Sequence, residues 1–439
     1  MAKPILAVVG RPNVGKSTLF NKIAGRRVSI VDDTPGVTRD RVYAGAEWAG
    51  RQFTLVDTGG MDPESGDEIV QQIYNQAELA METADVVLFV TDVKTGPTES
   101  DADVANILRK TQKPVLLAVN KTDDMRTENF DVYEFYKLGL GDPIPVSAGQ
   151  GLGIGDLLDE VIKLMPNEEA RQPDDDAIRV AVIGKPNSGK SSLINRILRE
   201  DRLIVSSTPG TTRDAVDSEI IIDGQRYVFI DTAGIRRKSK IKGNIERYSI
   251  LRAVSAVNRA DVCVILINAE EGVTEQDSKI AGIAHEHGKA SVITVNKWDL
   301  IEKDNKTINI FQGAIDSELG FMTYAPKLFI SAKTGQRISK LYELIHMAYQ
   351  NHSMRVSTGV LNDVLTEAAA INQPPQDKGR QLKIFYGTQV SVKPPTFVLF
   401  VNDGELMHYS YKRYLENQIR ESFGFAGTPI HFLIRNRGD

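Results

Sequence analysis

Two stretches of the chain, residues 10–17 (GRPNVGKS) and 184–191 (GKPNSGKS), share the spacing G-x-x-x-x-G-K-[ST]. Glycines so placed let successive backbone N–H groups converge on phosphate oxygens, while the lysine reaches the outer phosphates and the hydroxyl ligates Mg2+. The same spacing also occurs in plain glycine turns. Here each copy follows an apolar run (5–9 or 180–183) and leads into a helical pattern, carried by Leu19, Phe20 and Ile23 or by Leu193, Ile194 and Ile197. Strand, glycine loop and helix in that order suit a phosphate cradle. The candidate nucleotide ligands are Gly10, Arg11, Pro12, Asn13, Val14, Gly15, Lys16, Ser17 and Thr18 in one copy. In the other they are Gly184, Lys185, Pro186, Asn187, Ser188, Gly189, Lys190, Ser191 and Ser192.

The duplication extends beyond the loop. Pro35-Gly36-Val37-Thr38-Arg39-Asp40 returns as Pro209-Gly210-Thr211-Thr212-Arg213-Asp214, and Asp57-Thr58-Gly59-Gly60 as Asp231-Thr232-Ala233-Gly234, both at the loop's own offset of 174. Asn120-Lys121-Thr122-Asp123 answers Asn296-Lys297-Trp298-Asp299 at offset 176, and Ser147-Ala148 answers Ser331-Ala332 at offset 184. Each set is a nucleotide site in outline. Lys16 and Lys190 are expected at the β and γ phosphates, and Ser17 and Ser191 at Mg2+. Asp57 and Asp231 end strands and hold the metal; Gly60 and Gly234 offer a backbone N–H to the γ phosphate. Thr38 and Thr212 lie in loops of the kind that order around γ phosphate and Mg2+. Alone, either threonine reads equally as a loop hydroxyl; beside the other motifs it reads as a ligand. Asp123 and Asp299 choose the base, because a carboxylate accepts from guanine N1–H and its exocyclic amine, an edge that adenine lacks.

Two departures are informative. The residue after Asp-x-x-Gly, where Ras-like enzymes place a water-orienting Gln, is Met61 in one copy and Ile235 in the other. Neither can orient water by hydrogen bonding, so slow intrinsic hydrolysis dependent on a cation or a partner is expected. The second is the basic run Arg236-Arg237-Lys238-Ser239-Lys240-Ile241-Lys242, which has no counterpart in the first copy. Such runs are commonly solvated loops; this position also allows a switchable contact with an anionic surface such as RNA.

To hold these residues, each copy alternates strand and helix patterns. In the first, strands 41–48 and 52–56 flank a turn at Ala49-Gly50. A helical run through Ile69, Ile73, Ala77 and Ala80 follows, then strand 86–90, a helix at 101–110, strand 115–119 and a helix through Leu157, Leu158, Val161 and Ile162. Short apolar strands separated by helices imply a mostly parallel α/β sheet covered on both faces. Residues 166–177 (PNEEARQPDDDA) are polar and acidic and read as a linker. After about residue 350 the repeat ends. Helical stripes (Leu361, Val364, Leu365, Ala368; Leu415, Ile419, Phe423) and strand patterns (Leu382, Ile384, Tyr386; 397–401; Ile430, Phe432, Ile434) predict α-β-β-α-β, a small α+β domain. The expected domains are thus 1–165, the linker 166–177, 178–349 and 350–439.

The 439 residues carry a net charge of −5, divided as −8 over 1–165, −4 over the linker, +5 over 178–349 and +2 over the rest. A polyanionic partner is therefore expected to meet the second half. No apolar run approaches the roughly 20 residues of a membrane span, and the first run carries no signal-peptide pattern. A single cysteine, Cys263, excludes an intramolecular disulfide or a cysteine-based metal site. A cytoplasmic, monomeric protein is expected.

Two complete motif sets followed by a small α+β tail resemble, over essentially the whole chain, the bacterial tandem GTPases called Der or EngA. The residues that carry the resemblance are GRPNVGKS, PGVTRD, DTGG, NKTD and SA in one copy, and GKPNSGKS, PGTTRD, DTAGIRRKSKI, NKWD and SAK in the other. It implies two P-loop GTPase domains and a KH-like C-terminal domain, with GTP or GDP and Mg2+ as ligands. It further implies a role in assembly of the large (50S) ribosomal subunit. It also implies that Asn13 and Asn187 help coordinate a K+ ion in place of the missing Gln; locally, either Asn could simply stabilise its loop. The tail's only GxxG, Gly424-Phe425-Ala426-Gly427, precedes a strand, whereas RNA-clamping KH loops join two helices. A helix C-cap and turn is the expected reading, with the tail mainly holding the GTPase domains in register. Rival readings are a tRNA-modification or trafficking GTPase with the same type of domain, a non-hydrolysing scaffold, and an ATPase. The absence of a second catalytic domain, the intact Lys, Ser, Asp and Thr sets and the two Asn-Lys-x-Asp motifs disfavour them in turn.

Overall fold

The computed structural model describes residues 3–25, 43–57, 77–78, 80–124, 130–166, 176–200, 217–230, 245–377 and 379–437. By contacts the chain divides into one unit of Met1–Asp175 with Ser239–Asn258, and a second of Asp176–Lys238 with Arg259–Asp439.

In the first unit, strands β1 (Ile5–Val9), β2 (Tyr43–Trp48), β3 (Arg51–Asp57), β4 (Val86–Asp92), β5 (Val115–Asn120) and β6 (Pro143–Pro145) form one sheet, ordered β2-β3-β1-β4-β5-β6. All neighbours are parallel except β2 and β3. That pair is a hairpin whose turn residues Ala49 and Gly50 both have positive φ, 49° and 77°, the geometry that matches strand twist in a two-residue turn. Every residue of β1 and β4 is buried, which explains why they read as continuous apolar runs rather than alternating ones. Leu19, Phe20 and Ile23 of helix Lys16–Ala24 and Leu157, Leu158 and Val161 of helix Ile154–Leu164 pack on Leu6, Val8, Leu88 and Val90. Each such side chain contributes about 1.5–3 kcal/mol by leaving water. The helix expected at 101–110 spans Glu99–Leu108, because a capping box between Thr98 and Asp101 starts it earlier. Of the helical run near residue 77, only 77–78 and 80–83 are described, and they are helical.

The second sheet repeats this order. Strands β7 (Ile178–Ile183), β8 (Ser218–Ile222), β9 (Gln225–Phe229), β10 (Val262–Asn268), β11 (Ala290–Asn296) and β12 (Lys327–Phe329) run β8-β9-β7-β10-β11-β12. In both sheets the first strand lies between the end of the hairpin and the fourth strand, so the phosphate loop emerges where the strand order reverses. Matched carboxyl ends pair Asp92 with Asn120 and Asn268 with Asn296.

The tail has the expected order, with a two-residue pairing of β13 (Gln376–Asp377) and β14 (Arg380–Gln381) inserted between its first helix and the first long strand. Strands β15 (Ile384–Ser391) and β16 (Thr396–Val401) are antiparallel, β16 and β17 (His431–Asn436) parallel. Helices Thr358–Ile371 and Tyr409–Phe423 close a core of Leu361, Leu365, Phe397, Leu399, Leu415 and Ile419. Gly424 caps the latter helix with φ 97°, its N–H donating to the Arg420 carbonyl at 2.8 Å, so the GxxG segment is a C-cap and turn. Its main chain docks on the neighbouring α/β sheet. Ser291 N–H donates to Gly427 O at 2.7 Å, Gly427 N–H to Tyr324 O at 2.8 Å, and Asn351 Nδ2 to Ala426 O at 2.8 Å. With Phe425 fully buried, these groups are committed within the fold. Cys263 lies buried in β10, and burial pushes its thiol up to about 12, which leaves it inert.

Candidate functional site

Each phosphate loop follows a buried strand and ends at a helix that begins on its lysine, Lys16 or Lys190. The first helix is preceded by Gly15 in a left-handed conformation, with no side chain capping its first N–H groups. Such an N-terminus favours phosphate through its free donors and its dipole. A Cβ at Gly10 would clash with the Val90 carbonyl, and one at Gly184 with that of Leu266, so only glycine lets each loop pass this close to the central strand. Lys16 Nζ donates to Gly10 O and Arg11 O, both at 2.7 Å, and Lys190 Nζ does the same to Gly184 O and Lys185 O. Burial lowers the Lys190 pKa to about 8, with the Asp277 carboxylate opposing the shift. Ser17 Oγ faces Asp57 Oδ2 at 3.4 Å, and Asp57 is buried at the end of β3. A hydroxyl and a carboxylate so placed fit a hard, oxygen-loving cation shared with phosphates. Among the described residues no cluster of three or more His, Cys, Asp or Glu forms an all-protein metal cage.

The base loop is fastened to the phosphate loop by the same device twice. Asn120 Nδ2 donates to Val14 O at 2.7 Å while its Oδ1 accepts from Ala148 N–H at 2.9 Å. Asn296 Nδ2 donates to Ser188 O and its Oδ1 accepts from Ala332 N–H, both at 2.9 Å. One buried asparagine therefore ties three separate loops together. Lys121 and Lys297 follow with φ near 60°. Lys121 Nζ reaches Asn13 O at 2.8 Å and Asp92 Oδ2 at 2.7 Å; Lys297 Nζ instead pairs with Glu270 at 3.0 Å. Ser147 Oγ donates to Asp123 Oδ1 at 2.8 Å, and this bond, followed by one from Lys94, holds the Asp123 carboxyl below its usual range. Ser331 does the same for Asp299, whose Oδ1 is buried without a hydrogen-bond partner among the described residues. An orphaned, ionised carboxylate oxygen calls for a donor, and the N1–H and amine edge of guanine supplies that chemistry.

Structure thus brings together residues 10–18, Asp57, Asn120, Lys121, Asp123, Ser147 and Ala148, and likewise 184–192, Asn296, Lys297, Asp299, Ser331 and Ala332. Asn13 and Asn187 sit at φ 65° and 63°, turning each phosphate loop. Thr38, Gly60, Met61, Thr212, Asp231, Gly234, Ile235, the basic run 236–242 and linker residues 167–175 lie outside the described residues. Sequence reasoning missed Asp92 at the end of β4 and the segments after β4 and β10, which supply Lys94, Asp101, Glu270, Glu271 and Asp277 to the site. Their signal was present in the chain: Thr-Glu-x-Asp at 98–101 and 274–277, separated by 176 like the base motifs.

A family profile described as "50S ribosome-binding GTPase" matches residues 5–121 and again 179–297. A second, described as the KH-domain-like C-terminal region of EngA bacterial GTPase enzymes, matches 355–435. The chain is 61% identical to GTPase Der of Agathobacter rectalis and of Acetivibrio thermocellus over 437 residues, covering 100% of this chain and 99% of each relative. Against GTPase Der of Clostridium perfringens identity is 57%, with full coverage of both chains. Paired phosphate and base loops on two like sheets, a KH-like tail and end-to-end similarity to these relatives together make the chain a member of the Der/EngA family of GTPases.

Proposed function

We propose that both α/β domains (1–165 and 178–349) bind and hydrolyse GTP with Mg2+, and that the chain acts on the large ribosomal subunit or its precursor. The observation that carries the two-site reading is the asparagine bridge, present with nearly the same geometry in each domain. Lys16 and Lys190 bind the β and γ phosphates, Ser17 and Asp57 hold Mg2+ with Thr38, and Ser191 and Asp231 hold it with Thr212. Gly60 and Gly234 donate to the γ phosphate; Asp123 and Asp299 accept from guanine beside Ser147-Ala148 and Ser331-Ala332. Bound Mg2+ supplies neutralisation of charge on the phosphate oxygens during transfer. Asn13 and Asn187 assist a K+ ion that takes over the role of the missing Gln.

Ribosome association, and with it a cytoplasmic setting, is supported by the description of the matching family; among the described residues no helix is long and apolar enough to cross a membrane. The basic run 236–242 carries the contact with rRNA, and the first, acidic domain governs domain arrangement; the protein acts as a monomer. The test is GTP turnover in sodium and in potassium buffer, with and without 50S subunits, for the native chain and for Lys16→Ala and Lys190→Ala. Turnover is expected to rise with potassium or subunits and to fall in both variants. Fast turnover in sodium alone, or an unchanged variant, contradicts the reading.

A further inference from the structure

Each helix after the fourth strand of its sheet opens with a capping box. Asp101 Oδ2 accepts from Thr98 N–H at 3.0 Å and Thr98 Oγ1 at 2.8 Å; Asp277 Oδ2 accepts from Thr274 N–H at 3.0 Å and Thr274 Oγ1 at 2.7 Å. Capping needs no burial, yet Asp101 is 0% and Asp277 1% exposed. A buried carboxylate is retained at a cost unless a cation meets it. In both domains that cation comes from the phosphate loop, from the residue after its first glycine. Arg11 Nε lies 3.3 Å from both oxygens of Asp101, and Lys185 Nζ lies 3.2 Å from Asp277.

The surroundings change in concert with the cation. Arg11 also donates to Thr95 Oγ1, whereas Lys185 pairs at 2.8 Å with Glu271, which occupies the corresponding place at offset 176. Burial disfavours the Lys185 charge, and its bonds to Glu271 and Asp277 more than offset this, leaving the pKa raised. The backbone carbonyls of these same two residues accept from Lys16 and Lys190 at 2.7 Å. A chain of contacts therefore runs from capping carboxylate to loop cation, through that residue's backbone, to the lysine assigned to the phosphates.

We propose that Asp101 and Asp277 are positioning residues for nucleotide binding: through Arg11 and Lys185 they fix the backbone that places Lys16 and Lys190. This rests on the proposed assignment of the two lysines to phosphate. Loss of the tether lets the loop sample conformations that do not bind, and affinity falls by the fraction that remains competent.

The experiment measures binding of a fluorescent GDP analogue to the full-length chain with its second site disabled by Lys190→Ala, adding Asp101→Asn, Arg11→Met, both together, or Thr98→Ala. Asp101→Asn and Arg11→Met are each expected to weaken binding on the order of tenfold, and the pair by no more than either alone, since both cut one tether. Thr98→Ala, which removes the cap but leaves the ion pair, is expected to lower the melting temperature and leave affinity within about twofold. Native affinity in Asp101→Asn, or effects that multiply in the pair, overturns the inference. So does an equal loss in Thr98→Ala, which would make capping the cause. Should Asp101→Asn fail to fold, unchanged affinity in Arg11→Met is sufficient to overturn it. No binding by the Lys190→Ala parent would instead refute the assignment of the first site.

Discussion

Replacing Asn296 by Ala tests the architecture of the site at its most economical point. Its side chain is 2% exposed and makes two hydrogen bonds of 2.9 Å, one to Ser188 O in the phosphate loop and one from Ala332 N–H beside the base. Alanine would leave both main-chain groups buried without a partner. Each such group costs about 1–3 kcal/mol, so the second unit is expected to lose about 2–4 kcal/mol after partial relaxation. Asn296→Asp is the sharper variant. It retains the acceptor for Ala332 but turns a carboxylate oxygen toward the Ser188 carbonyl, replacing attraction with repulsion. Urea denaturation, read together with GDP affinity in a Lys16→Ala background, gives both consequences. Asp should be no better than Ala, and affinity should fall at least tenfold in each. A stability change under about 0.5 kcal/mol with affinity preserved would mean that the three loops are held by something else.

Two further outcomes concern groups buried at or beside the contact between the second sheet and the tail. His352 bonds Thr428 Oγ1 at 2.7 Å and His285 bonds Tyr324 Oη at 3.1 Å. Burial first, then neighbouring positive groups, lowers their pKa values from 6.5 to about 3 and about 4. The unfolded chain takes up these protons below pH 6.5 while the folded chain does not. Stability should therefore fall as pH drops from about 6.5 toward 4, by up to about 1.4 kcal/mol per pH unit for each His, and flatten in His352→Gln, as read by denaturation at stepped pH. Gly427→Ala would place a Cβ 2.6 Å from Ala348 Cβ at a φ of 81°, so a loss of about 2 kcal/mol or more is expected by calorimetry.

Much of this was legible because the relevant signals are local. Glycine spacing, apolar strands and the Asn-Lys-x-Asp strings each lie within a few residues, and their common offset of 174 to 176 joined them into two domains. Helical stripes also gave the order of the tail, and the place of Gly424 before a strand marked its C-cap. What could not be read was pairing across the fold. Arg11 meets Asp101 ninety residues away, and Asn120 meets Val14 across 106. Arg11 does not announce its partner, because a surface arginine has the same local sequence as a buried one. The commitment of the Gly427 backbone to Ser291 and Tyr324 is likewise a tertiary fact, set by which edge the tail meets.

The central claim, two guanine sites in one chain, is tested most directly by counting bound nucleotide at equilibrium. Native protein should bind two GDP per chain and no ADP. Asp123→Asn or Asp299→Asn should each reduce this to one, and the altered site should accept xanthosine diphosphate, whose C2 carbonyl takes a donor where guanine offers one. One GDP per native chain, or two retained in either variant, would contradict the account.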